Sequence, residues 1–286
     1  MSDSIQQLAR ISVFLFVVTN MLTMGLSLSV REIRATVNSP RLLLSVLVSN
    51  FIAIPLLAYL LSRLIRPEPS LVVALLLLGT ASGAPMLPKL VEFAKGNLAL
   101  AVGVMGLLMT VTIVYVPIIL PMLLPGIHAD AWSIAKPLLA VTLPPLAAAL
   151  VTHAYLPDIS ILLVPYLRLA SNITLLALIA LAIAMNVSSV IRVSNLEAIL
   201  AGAGLFLGAF GIGYALGGSD TETRKVLGLS AIVRNISVSF LIAVENFPRT
   251  KVIDYLAILG LVAIVIQLTL AFAMARHSNR QRANAA

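Results

Sequence analysis

From Ile11 to Ala275 the sequence runs as a series of apolar stretches, each close to the ~20 residues that a helix needs to cross a hydrocarbon core. About nine can be read: Ile11–Ser29, Leu42–Leu64, Leu71–Ala94, Leu98–Leu124, Ile134–Ala154, Leu163–Met185, Leu196–Leu216, Val226–Val244 and Tyr255–Ala275. The linkers between them leave no room for a soluble domain. The expected fold class is therefore an all-α polytopic membrane protein, with residues 1–286 forming one transmembrane domain. Charge agrees: 10% of residues are charged, against about 25% in a soluble domain. The absence of cysteine excludes a disulfide framework and thiolate metal sites.

The formal net charge of +8 reads as loop anchoring at a bilayer rather than nucleic-acid binding. Arg31, Arg34 and Arg41 cluster after the first span, Arg224 and Lys225 lie in a later loop, and the tail carries Arg276, Arg280 and Arg282 without an acid. All three segments share one side if the spans are odd in number, which predicts an outside N-terminus and a cytoplasmic C-terminus in a plasma (inner) membrane. Arg63, Arg66, Arg249 and Lys251 oppose this, so the bias is modest. The first run is too long for a signal core and has only Arg10 before it, so it is expected to stay as a helix. Pro144 and Pro145 predict a kink in the fifth span. Gly204 and Gly208 predict close helix packing.

Two spans are unlike the rest. The third contains "SGAPMLPKL", where Gly83, Pro85 and Pro88 can end one half-helix and start another, and where Lys89 follows at once. In lipid a broken helix survives only inside protein or beside water, because every backbone N–H and C=O needs a partner. Secondary transporters use paired broken helices of this kind, one in each half of the chain, with half-helix N-termini aimed at anionic substrate groups. The second candidate is Lys225 to Pro248, where Arg234 and Asn235 lie near mid-span. An arginine there costs about 3 kcal/mol on the insertion scale and faces the interior of a bundle. "VEFAKGN" and "AVENFPR" each close their half before a long smooth helix, so inverted repeats are expected. The breaks are placed near Gly83–Pro88 and Ser230–Asn235.

Four stretches, in order, carry a family resemblance. "MGLSLSVREIRATVNSPR" resembles the "MGL-L" segment and basic loop of the bile acid:sodium symporter family. "SNFIAIPLLAYLLSRL" resembles its next helix, in which a polar residue precedes Phe and a proline follows four residues on. "AKGNLALAVGV" is similar to "ARGN-ALSVAV", and "VRNISVSFLIAV" stands where the family has "MQNSGLAVAL". The resemblance implies a core domain with two crossed broken helices, here about 40–124 and 195–275. It also implies a panel domain, here about 11–29 and 134–185, and a nine-helix member lacking the first helix of ten.

The family's sodium ligands do not carry over. Counting back from Gly96 and Asn97, its Ser-Asn pair falls on Leu87 and Pro88, and its next two hydroxyls fall on Ala101 and Met105. Its glutamate falls on Ser230 and its glutamine on Arg234, while Asn50 keeps an amide where the family has glutamine. No metal or cofactor is therefore expected, and sodium is doubtful as a partner. Arg234 reads as a tethered replacement for the ion, able to bond half-helix carbonyls and a carboxylate together, with Lys89 helping to attract the anion. The alternatives are a structural role for Arg234, bonded to backbone carbonyls or Glu92, and a Lys89 that merely snorkels toward the headgroups. The expected substrate-binding set is Arg234, Asn235, Lys89, Asn50, Pro85, Pro88 and Ser230. The expected activity is secondary transport of a small organic anion, an organic acid or a bile-acid-like one, without sodium coupling. Other readings are a sodium-dependent symporter of the same family, an auxin-efflux-type carrier, and a channel or sensor on a transporter fold. An enzyme is not expected: His128, His153 and His277 and every aspartate fall near span ends, so no catalytic pair forms in the membrane.

Overall fold

The structure, a computed structural model, describes residues 3–27, 36, 38–123, 131–185, 194–247 and 250–285. Arg31, Arg34, His128, Asp130 and Arg249 lie outside the described residues. Among those described, the chain is helical throughout, and the one extended feature is an isolated bridge between Ser82 and Arg234.

The helices are α1 (Asp3–Ser27), α2 (Pro40–Ile65), α3 (Pro69–Thr80), α4 (Leu87–Phe93), α5 (Leu98–Leu123) and α6 (Ala131–Tyr155). They continue with α7 (Pro157–Met185), α8 (Ser194–Leu216), α9 (Thr221–Ile232), α10 (Ile236–Asn246) and α11 (Val252–Ala285). Four helical stretches among the described residues are long and apolar enough to cross a membrane: Pro40–Ile65, Leu98–Val116, Leu196–Leu216 and Val252–Asn279. Helix α6 runs unbroken through Pro144 and Pro145, and α11 continues past the expected end at Ala275.

Helix α1 packs most extensively against α6 and α7, and α8 against α9, α11 and α2. Gly208 lets α8 approach α2, since a Cβ there would stand 2.8 Å from Leu57 Cδ2. Van der Waals fit of this kind, rather than burial from water, drives association between membrane helices. Helix α9 starts at Asp220, whose carboxylate accepts from the Thr223 amide at 2.8 Å and the Thr223 hydroxyl at 2.6 Å. Those bonds satisfy orphan donors of the first turn and hold the Asp220 carboxyl below its usual range.

Polar contacts define two opposite ends. At one, Lys225 Nζ donates to Glu222 Oε1 (2.7 Å), Ser278 Oγ (2.9 Å) and the Lys95 carbonyl (3.2 Å), and Lys95 Nζ donates to Asn279 Oδ1. At the other, Glu68 accepts from Tyr255 Oη at 2.9 Å and pairs with Lys251 at 3.2 Å. The loop after α4, the start of α9 and the distal part of α11 therefore share one face.

Candidate functional site: the meeting of two broken helices

Helix α3 stops at Thr80, and the chain is non-helical from Ala81 until α4 resumes at Leu87. Gly83 lies at φ +73°, a conformation L side chains rarely adopt. A Cβ there would also come within 2.7 Å of the Met109 amide nitrogen. Pro88 stands in the first turn of α4, where its missing N–H costs nothing. The second break is shorter: α9 ends at Ile232, and Val233, Arg234 and Asn235 separate it from α10. The two breaks touch. Ser82 and Arg234 form an antiparallel bridge, and the Asn235 amide donates to the Ala81 carbonyl at 3.0 Å.

The Arg234 guanidinium is buried at 4% exposure and makes five hydrogen bonds. Nε donates to the Leu78 carbonyl and Nη2 to the Gly79 carbonyl, both at 2.7 Å. Nη1 donates to Asn50 Oδ1 (3.1 Å), the Ala231 carbonyl (3.3 Å) and Ser82 Oγ (3.4 Å). Leu78, Gly79 and Ala231 belong to the last turns of α3 and α9, where helix geometry leaves carbonyls without partners. Other carbonyls there accept from Ala81 N–H (on Leu77), Val233 N–H (on Leu229) and Gln267 Nε2 (on Ile232). One cation thus satisfies the C-terminal ends of two half-helices, where the aligned peptide dipoles favour positive charge. None of the five oxygens is acidic.

Asn50 reaches this centre because α2 is locally underwound into a wider turn at Ser49–Ala53. Pro55 has no N–H for the Phe51 carbonyl four residues back, the usual cause of such a lapse. Tyr115 Oη from α5 donates to that carbonyl, and its ring lies 4.8 Å from Phe51. The Asn50 amide is anchored by Nδ2 on the Val46 carbonyl and Ser49 Oγ, leaving Oδ1 to accept from Arg234 and from Ser82 Oγ at 2.7 Å. Thr112 of α5 closes the backbone of Ser82 on both sides: it accepts from the amide at 3.1 Å and donates to the carbonyl at 2.8 Å.

A second polar chain lies beyond the break. Asn235 caps α10, its Oδ1 accepting from Val238 N–H and from Ser237 Oγ. Asn20 of α1 donates to Ser237 Oγ, tying α1 to the start of α10.

The structure thus brings Arg234, Asn235 and Asn50 together but not the other expected residues. Ser230 remains inside α9 and donates to its own Leu227 carbonyl. Pro85 stands in the first break away from the guanidinium bonds, and Pro88 in α4. Lys89 is exposed, and no bond from it to the centre occurs among the described residues. Glu92 is exposed too, so Arg234 does not pair with it.

Leu87 and Pro88, the positions assigned to the family's Ser-Asn pair, both lie in α4. Leu87 belongs to the apolar core of α4, past the break, and Ser82 is the hydroxyl residue at the meeting point. Along α5, Ala101 and Met105 are core residues, while Met109 abuts Gly83 and Thr112 bonds Ser82. Counting back from Gly96 and Asn97 assumes a fixed loop length. Thr80, Ala81 and Ser82 are the residues that stand at the start of the first break. Tyr115, Asn20 and Ser237 have no marker in the sequence, because they become site residues only through packing. No group of three or more His, Cys, Asp or Glu side chains that could hold a metal occurs among the described residues. Of the oxygens at the meeting point, the Leu78, Gly79 and Ala231 carbonyls, Asn50 Oδ1 and Ser82 Oγ are bonded to Arg234.

The sequence profile of the Sodium Bile acid symporter family matches residues 14–193. The chain belongs to that family. Relatives of this symporter-family member include the probable sodium/metabolite cotransporter BASS1, chloroplastic, of Arabidopsis thaliana, 24% identical over 238 residues, covering 81% of this chain and 59% of the relative. The rice (Oryza sativa subsp. japonica) probable sodium/metabolite cotransporter BASS2, chloroplastic, is 23% identical over 237 residues, covering 81% and 56%. The chain thus spans under two thirds of the length of the curated relatives it matches.

Proposed function

We propose that the protein is a secondary transporter for a small organic anion in which Arg234 stands permanently where relatives would hold an exchangeable cation. The observation that carries this is the guanidinium bonded to the last carbonyls of both broken helices together with Asn50 and Ser82. A fixed fork of N–H donors supplies charge and geometry as a bound ion would, without leaving. The fold behind the reading is a nine-helix inverted repeat in which α3–α4 crosses α9–α10. Its core is about 40–124 and 195–275, and its panel about 11–29 and 134–185. Asn235 and Ser237, at the start of α10 and facing α1, are the groups placed to meet the anion, because a half-helix N-terminus favours negative charge. The protein spans a plasma (inner) membrane with its N-terminus outside and the basic end of α11 in the cytoplasm. The shared face of Lys95, Lys225 and Ser278 supports this orientation.

Purified protein in liposomes, offered a panel of labelled organic anions, tests the reading. Uptake is expected to be the same in sodium, potassium and choline media. The second reading, a sodium-dependent symporter, draws on the hydroxyls of Ser82 and Thr112 at the first break. A saturable sodium requirement would establish it and remove the tethered-cation account.

A further inference from the structure

Arg234 is covalently part of the carrier, and that changes its charge when empty. The oxygens bonded to it are backbone carbonyls, an amide and a hydroxyl, all neutral. Ser230, one turn back on α9, is neutral too and bonds its own helix. The described glutamates of the broken helices and their approaches, Glu68, Glu92, Glu222 and Glu245, stand at helix ends with at least partial exposure. The peptide dipoles of α3 and α9 stabilise the guanidinium but carry no net charge. An empty crossing therefore holds one net positive charge, and a crossing loaded with one monoanion holds none.

Because Arg234 bonds α2, α3 and α9 at once, these three helices travel together when access alternates. Moving a net charge across the hydrocarbon layer is slow and voltage-dependent, whereas moving a neutral pair is neither. We infer that the protein works chiefly as an exchanger of monoanions: it crosses readily when loaded on both strokes and returns slowly when empty. A released sodium ion would let an empty carrier shed its charge; a tethered guanidinium does not. The inference rests on the anion-carrier reading above and adds exchange and single negative charge to it.

The test uses the full chain in liposomes with three monoanion probes of different size: labelled lactate, gluconate and taurocholate. Uptake of a transported probe into vesicles preloaded with the same unlabelled anion should exceed uptake into anion-free vesicles by roughly ten- to a hundredfold. A potassium diffusion potential set with valinomycin should alter net uptake and leave exchange unchanged. In Arg234→Gln the ratio of exchange to net uptake should fall toward one. If that variant does not fold or does not transport, the voltage comparison on the unaltered protein decides alone. Equal uptake with and without internal anion, or exchange as voltage-dependent as net uptake, overturns the exchanger while leaving the carrier standing. Failure of all three probes to exceed protein-free vesicles in either protocol overturns the carrier reading and the exchanger with it.

Discussion

The two helix breaks meet at one bridge but are made in different ways. The first, between α3 and α4, is enforced by its own residues: Gly83 at φ +73°, Pro85 within the gap and Pro88 opening the next helix. The second, between α9 and α10, contains neither glycine nor proline, and Val233, Arg234 and Asn235 could all continue a helix. It persists because Arg234 is worth more bonded to α3 than pointing from an unbroken helix, and because Asn235 caps α10. One break is local chemistry; the other is held from across the molecule.

That contrast breaks most visibly at Arg234. Arg234→Ala strips hydrogen bonds from the Leu78, Gly79 and Ala231 carbonyls and from Asn50, and each buried unsatisfied group costs about 1–3 kcal/mol. Thermal unfolding in detergent should fall by more than about 3 kcal/mol, and anion transport should be lost. Five hydrogen bonds, four to three helices and one to Ser82 in the first break, go with the side chain. Arg234→Lys should recover only part of the stability, since one ammonium cannot span the oxygens that a planar fork does. Full stability and transport in Arg234→Ala would remove the tethered cation from the account.

Next in size is Gly83→Ala, which tests the locally written break. A positive φ and a 2.7 Å approach to the Met109 amide predict a loss of about 1–3 kcal/mol. An unchanged melting temperature would show that the first break also depends on distant partners.

Asn235→Ala should cost about 1 kcal/mol through the lost cap and should leave Ser237 and Asn20 bonded only to each other. If these groups meet the substrate, the Michaelis constant for a transported anion rises more than stability falls. A pure stability loss would confine Asn235 to capping.

Tyr115→Phe probes the support of Asn50. Leaving the Phe51 carbonyl without its hydroxyl should cost about 1 kcal/mol, while Pro55→Ala supplies a replacement N–H. In the double variant the effects should be less than additive. Strict additivity would mean that Tyr115 does not answer the lapse at Pro55. The smallest effect belongs to Lys89→Gln. An exposed cation without a described bond to the centre should change stability by less than about 0.5 kcal/mol and transport little. A large transport defect would return Lys89 to the site.

The sequence by itself determined the solvent, the class and one of the two breaks. Long apolar runs with few charges leave a bilayer as the only medium, and the backbone's need for partners there makes helices obligatory. Gly83 and Pro88 end and restart a helix whatever surrounds them, so that break was legible. Arg234 and Asn235 could be singled out because a charge at mid-span is expensive and must be answered by something. The answering groups were decided by tertiary structure. Leu78, Gly79, Ser82 and Asn50 lie more than a hundred residues away in sequence, and no helical periodicity says which of them will face Arg234. The register of the meeting point, Ser82 and Thr112 rather than Leu87 and Ala101, comes from how α5 lies against the first break. Asn50 stands in the widened turn of α2 whose Phe51 carbonyl accepts from Tyr115, a contact between distant segments. Local chemistry fixes where a helix can stop; only packed neighbours supply the donors and acceptors that make stopping there stable.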